Sequence, residues 1–171
     1  INLGRIAFSL KKSNGEKVKI EELQKCNQEL DLWSGVISSY FEIEGIPVNV
    51  KTVCHPYKDL IAVNVESDLI RNGQISITLE FPFANAENSK GGDYIGIWNN
   101  HSLHQTNFEE KYDQVNFSRQ LDNDLYYVAL KWFTESNFVK DNKNPHKFEF
   151  IPSGSKMQFV CEFSPKKIVD E

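Results

Sequence analysis

The sequence contains few cysteines, no long apolar run and no excess of basic residues. Its three cysteines are Cys26, Cys54 and Cys161. Three is odd, and no C-x-x-C spacing occurs, so neither a disulfide framework nor a zinc knuckle is expected. No apolar stretch approaches the roughly 20 residues that an α-helix needs to cross a bilayer. Lys and Arg number 19 against 24 Asp and Glu, a net charge of −5. The longest basic cluster is Lys166-Lys167, so neither nucleic acid nor an anionic membrane is an expected partner. G-x-S-x-G, the phosphate-cradling P-loop and G-x-G-x-x-G are all missing, and no motif implies a cofactor. There is no internal repeat and no signal-peptide pattern. The chain opens on Ile1 rather than Met, which is expected of a trimmed form or of one part of a longer, multidomain chain.

What the sequence does have is alternation. Hydrophobic residues make up 40% and charged residues 25% of 171 residues, a soluble composition at the size of one ordinary domain. Ile37, Phe41 and Ile43 share one parity; Ser38, Tyr40, Glu42 and Glu44 share the other. Gly45 opens a turn, and Val48, Val50 and Thr52 then alternate with Asn49 and Lys51. This is a β-hairpin pattern. Similar runs carry Ile6, Phe8 and Leu10; Ile61, Val63 and Val65; Ile75, Ile77, Leu79 and Phe81; Tyr126, Val128, Leu130 and Trp132; Phe148 and Phe150; and Met157, Phe159, Cys161 and Phe163. Short strands separated by turns predict an all-β fold, an antiparallel two-sheet sandwich with few or no helices, spanning residues 1–171 as one domain. A short helix is expected over Ile20–Lys25, and another weak one over Glu109–Asp113. Cys161 is expected to be a buried small hydrophobe.

Candidate chemistry is sparse. A glycosidase needs two carboxylates roughly 5–9 Å apart. Glu42 and Glu44 share a strand face, but that face reads as exposed polar surface. Asp122 and Asp124 read as turn residues. His101 and His104 are the one close histidine pair; on a strand they face opposite sides, so no metal site is expected. Aromatic and polar residues gather in GGDYIGIWNNHSLHQ, residues 91–105. Tyr94, Trp98, Asn99, Asn100, His101 and His104 are the candidates there for contact with a ligand or a neighbouring domain. Trp33 and Trp132 are expected in the core or at a domain interface.

Longer motifs add a resemblance. Leu30-Asp31-Leu32-Trp33-Ser34-Gly35, then His55-Pro56 with Asp59-Leu60-Ile61-Ala62-Val63, then Phe81-Pro82-Phe83 follow in order. With Leu3-Gly4-Arg5-Ile6 and Tyr127-Val128-Ala129-Leu130-Lys131-Trp132, they resemble the N-terminal β-domain of (α/α)₆-barrel glycoside hydrolases, families 65 and 95. The resemblance implies a galactose-mutarotase-like supersandwich, although complete domains of that type are usually longer. It also implies that the acid and base carboxylates lie in a downstream barrel, so no catalytic residue carries over. The expected role is non-catalytic: bracing the (α/α)₆ catalytic domain of a glycoside hydrolase and shaping its active-site rim, with a homodimer contact as a further candidate. A parent acting on polysaccharide would be periplasmic or secreted. Two alternatives stand beside it. One is an independent carbohydrate-binding module that stacks sugar on Tyr94 and Trp98. The other is a mutarotase-type enzyme using His101 or His104 with Glu109.

Overall fold

A computed structural model of the chain describes residues 2–84 and 95–168. In chain order the strands are β1 (Arg5–Leu10), β2 (Gln24–Asp31), β3 (Val36–Ile43), β4 (Ile46–Cys54), β5 (Leu60–Glu66), β6 (Ile75–Glu80), β7 (His104–Glu110), β8 (Gln114–Leu121), β9 (Asp124–Trp132), β10 (Ser136–Lys140), β11 (Lys147–Pro152) and β12 (Lys156–Ser164). One short helix, α1 (Asp68–Arg71), precedes β6. The fold is all-β: an antiparallel sheet of four strands, β1-β6-β11-β10, packs on one of eight, β2-β3-β4-β5-β12-β9-β8-β7.

The period-two runs determine which faces meet. Val48, Val50, Val65, Met157, Phe159, Val128, Leu130, Val115 and Phe117 point inward from the large sheet and are buried. Ile75, Ile77, Leu79, Phe148 and Phe150 answer them from the small sheet. Aromatic rings join the layers: Phe81 meets Phe117 edge to face at 5.3 Å, and tilted pairs join Phe117 to Phe148 at 4.8 Å and Trp132 to Phe150 at 4.9 Å. Such pairs add about 0.5–1.5 kcal/mol each beyond the area they bury.

The β3–β4 hairpin forms as expected. Ile43 pairs with Ile46, so Glu44 and Gly45 make a two-residue turn. Both have positive φ, 52° and 79°, the mirror-image turn that suits the right-handed strand twist. Glu44 is therefore a turn residue, and its carboxylate accepts from the Ser13 amide and hydroxyl. Glu42, expected on an exposed face, is buried instead. Lys25 sits at a bulge in β2 with φ 49° and reaches across it. The Glu42 carboxylate accepts from Lys25 Nζ at 3.0 Å and from the Tyr40 hydroxyl at 2.6 Å. The Tyr40 hydroxyl, with Lys25 behind it, holds this carboxyl below its usual range.

Other expectations change. Ile20–Glu22 is only a single 3-10 turn, and Gln24 already begins β2. Glu109 and Glu110 end β7, and the chain turns at 111–113 before β8. The helix that forms is α1, whose Ser67 hydroxyl accepts from the Leu69 amide and donates to the Pro47 carbonyl. Trp132 is in the core, whereas Trp33 is 99% exposed.

Cys161 is buried, and desolvation pushes its thiol up to about 12. Cys26 and Cys54 are exposed. A thiol-specific chromogenic reagent at pH 8 should therefore titrate two thiols in the folded chain. The third should react only after denaturant is added. Three fast thiols would contradict the burial of Cys161.

Candidate functional site

Among the described residues, a cluster of buried polar groups lies where β7 and β8 approach the end of β6. Arg119 occupies an inward position on β8 that alternation would give to an apolar residue, and it is fully buried. Its Nε donates to the Tyr126 hydroxyl at 3.3 Å. Nη1 donates to the Gln105 carbonyl at 2.9 Å and to Thr106 Oγ1. Nη2 donates to the Pro82 carbonyl at 3.2 Å and to His104 Nδ1 at 2.6 Å. These five contacts use the five donors of a guanidinium. No carboxylate is among its partners in the described residues. The guanidinium lies 4.8 Å above the Phe81 ring, a cation–π contact. Burial pulls it below its usual value, yet an arginine stays charged.

Arg119 fixes the histidine tautomers around it. A guanidinium only donates, so His104 Nδ1 must accept. The other ring nitrogen of His104 then donates to the Asn100 carbonyl. Thr106 Oγ1 accepts from Arg119, so its own proton goes to His146 Nδ1, 2.6 Å away. His146 Nε2 in turn donates to the His101 carbonyl at 3.0 Å. The His104 and His146 rings stack with centroids 3.7 Å apart. Tyr126 closes the network by donating to the Leu3 carbonyl at 2.6 Å.

Local sequence places each part. His104 is the first residue of β7, paired with Leu121, and Arg119 pairs with Thr106 across the same ladder. His146 is set by the turn 141–145. Asp141 Oδ1 accepts from the Lys143 and Asn144 amides, and Asn144 Oδ1 accepts from the His146 amide. Gly96, with φ +76°, itself lies against Pro82, where an added Cβ would come within 2.6 Å of the proline ring.

The sequence-derived candidates divide. His101 and His104 come together, and Asn100 contributes its carbonyl. Asn99 lies exposed in a turn. Trp98 has one ring face under the Arg5 guanidinium at 4.2 Å and donates its indole N–H to the Ile95 carbonyl. Tyr94 lies outside the described residues. Glu109 is on the outer face of β7, five residues from His104 and of opposite parity, so it does not converge with either histidine. Arg119, Thr106 and His146 are not singled out by the sequence pattern, and Tyr126 is read there only as a strand residue. The available signal was the arginine interrupting the Val115, Phe117, Leu121 row.

His101, His104 and His146 each offer a ring nitrogen within 4.8 Å of the others, and three imidazoles are a zinc-like donor set. The wiring does not fit a metal. The Nδ1 lone pairs of His104 and His146 are already taken by Arg119 and Thr106, and a cation would meet the Arg119 charge. Burial, then Arg119, drives the His104 pKa down to about 3, and burial lowers that of His146. Both rings are therefore neutral acceptors at pH 7 that tie β6, β7, β8 and the 141–146 turn together. Compared with known families and with curated proteins, the chain matches no family model and no curated relative.

Proposed function

We propose that this chain is a non-catalytic β-sandwich domain of a carbohydrate-active enzyme of the glycoside hydrolase kind, and that it braces a helical (α/α)₆ catalytic domain and contributes to its rim. The observation that carries the reading is the closed wiring of the polar cluster. Arg119, Thr106, His104 and His146 spend their donors and acceptors on one another and on backbone carbonyls. A general acid or base needs a free proton site within reach of substrate, and this network holds its protons internally. The motif resemblance from Leu30 to Phe83 supplies the carbohydrate context as analogy. The segment carrying Trp98, Asn99, Asn100 and His101 is the part of the sandwich offered to the rim, its backbone held against Pro82 and Asn2.

Two measurements test the reading. The isolated chain should leave oligosaccharides of varied linkage intact, whereas the protein encoded by the coding frame continued past Glu171 should hydrolyse one of them. That continuation should show paired-helix periodicity. Sugar release by the isolated chain, or a continued frame without a helical domain, would overturn the proposal.

A further inference from the structure

Far from the polar cluster three large side chains stand almost bare and a fourth is half-exposed. Trp33 is 99% exposed, Tyr57 92%, Leu32 87% and Leu30 50%. They share one end of the large sheet. Asp31 pairs with Val36 and Cys54 with Ile61, so the β2–β3 turn and the β4–β5 turn leave the same strand ends. Two strand intervals, about 10 Å, separate those turns. From β3 to β8 are five intervals, about 24 Å, so this surface is distinct from the segment assigned to the rim.

Both turns are held in shape. Asp31 Oδ1 accepts from the Trp33 amide at 2.9 Å, Asp31 Oδ2 from the Ser34 hydroxyl at 2.6 Å, and the Asp31 carbonyl from the Gly35 amide at 2.8 Å. In the second turn His55 Nδ1 accepts from the amides of Tyr57 and Lys58, each at 3.1 Å. Ordering these turns therefore costs little more on binding, which favours association.

We infer that this end is a homodimer surface, on which a second copy of the chain seats around a two-fold axis, with Trp33 and Tyr57 as the anchors. Area is the first argument. The two aromatic side chains bring about 300–500 Å² per copy, around half of the ~800 Å² that each partner gives to a standard interface. The two leucines and the rim extend this. Charge is the second. An isologous surface must complement itself, and the rim carries both signs: exposed Lys51 and Lys58 beside exposed Glu29 and Asp59. The aliphatic side chains are the third. A sugar stacks on aromatic rings and would leave Leu30 and Leu32 in water, whereas an apolar protein surface buries all four. The inference does not rest on the enzymatic reading.

Sedimentation velocity over a wide dilution series tests it, with the chain itself and the Trp33→Ser, Tyr57→Ser double variant. Both side chains are more than nine-tenths exposed, so the variant keeps the fold, and an unchanged melting temperature verifies that. The expected result is a reversible monomer–dimer equilibrium, weakened at least about a hundredfold in the double variant, as two lost hot spots imply. A chain monomeric at every concentration overturns the inference, as does a dimer indifferent to the double substitution or association that runs past two copies. A monomer whose Trp33 fluorescence responds to added cellohexaose or maltohexaose overturns it in favour of a sugar site.

Discussion

Replacing Arg119 with alanine is expected to cost about 3–5 kcal/mol, the magnitude found when one partner of a buried charged network is removed. The change leaves the Tyr126 hydroxyl, the carbonyls of Gln105 and Pro82, Thr106 Oγ1 and His104 Nδ1 without their donor at once. These acceptors belong to β7, β9 and the end of β6, so both sheets are affected. For a chain of this size the loss corresponds to a fall of about 6–20 °C in Tm, read by calorimetry or circular dichroism. Arg119→Lys should recover only part of it, because an ammonium has three donors and no planar fork. An alanine variant as stable as the parent would show that the network contributes nothing to the fold.

The second large effect is on acid stability. His104 titrates near 3 in the folded chain and has an ordinary value of 6.5. Its folded pKa is depressed, so between those values the unfolded chain binds the proton and the folded chain does not. The stabilisation is complete above about pH 6.5 and is lost as pH falls toward 3. Each pH unit in that window costs about 1.4 kcal/mol. Between pH 6.5 and 4.5 His104 alone should therefore remove about 2–3 kcal/mol, and His146, also depressed, acts with the same sign. The depressed carboxyls of Glu16, Glu22, Asp31, Glu42, Glu66 and Asp141 start from ordinary values of 4.5 for the glutamates and 3.8 for the aspartates. Their stabilisation is lost mainly below that window. Urea unfolding at pH 7, 5.5 and 4.5 should thus show a loss that belongs to the histidines. His104→Gln, with an amide oxygen to accept from Arg119, should flatten it. A stability flat from pH 7 to 4.5 would mean that His104 is not a buried neutral acceptor.

The sheets were legible in the sequence where one face is apolar. Ile37, Phe41 and Ile43 against Val48 and Val50 mark the hairpin, and its register follows in the structure because a one-residue slip would turn every inward side chain outward. Strand β2 was not legible. It is an edge strand whose eight residues are all exposed, so no burial imposed alternation on QKCNQELD. Strand β8 was obscured by Arg119, a charge at an inward position that only the facing residues explain. The candidate site was half legible. His101 and His104 stand close in sequence, but His146 reaches them only through the pairing of β11 with β6 and the packing of one sheet on the other, which no local pattern encodes. Trp33, expected in the core or at a domain interface, has a bare indole and is not in the core.

The position of β12 bears on how the chain is made. It is the last of the described strands in sequence order, yet it lies in the middle of the eight-stranded sheet, hydrogen-bonded to β5 on one side and β9 on the other. During synthesis β2 to β5 and β7 to β9 can each form a local meander as they leave the ribosome. Until β12 emerges they remain two half-sheets, each with an open inner edge next to apolar residues such as Val63, Val65, Val128 and Leu130. The nascent chain therefore passes through a stage with two sticky edges at once, the kind of species that chaperones shield and that aggregates when crowded. Closure by the final strand also makes folding depend on long-range pairing, which is slow. For this molecule the hazard of misassembly is concentrated in the interval before Lys156–Ser164 is delivered.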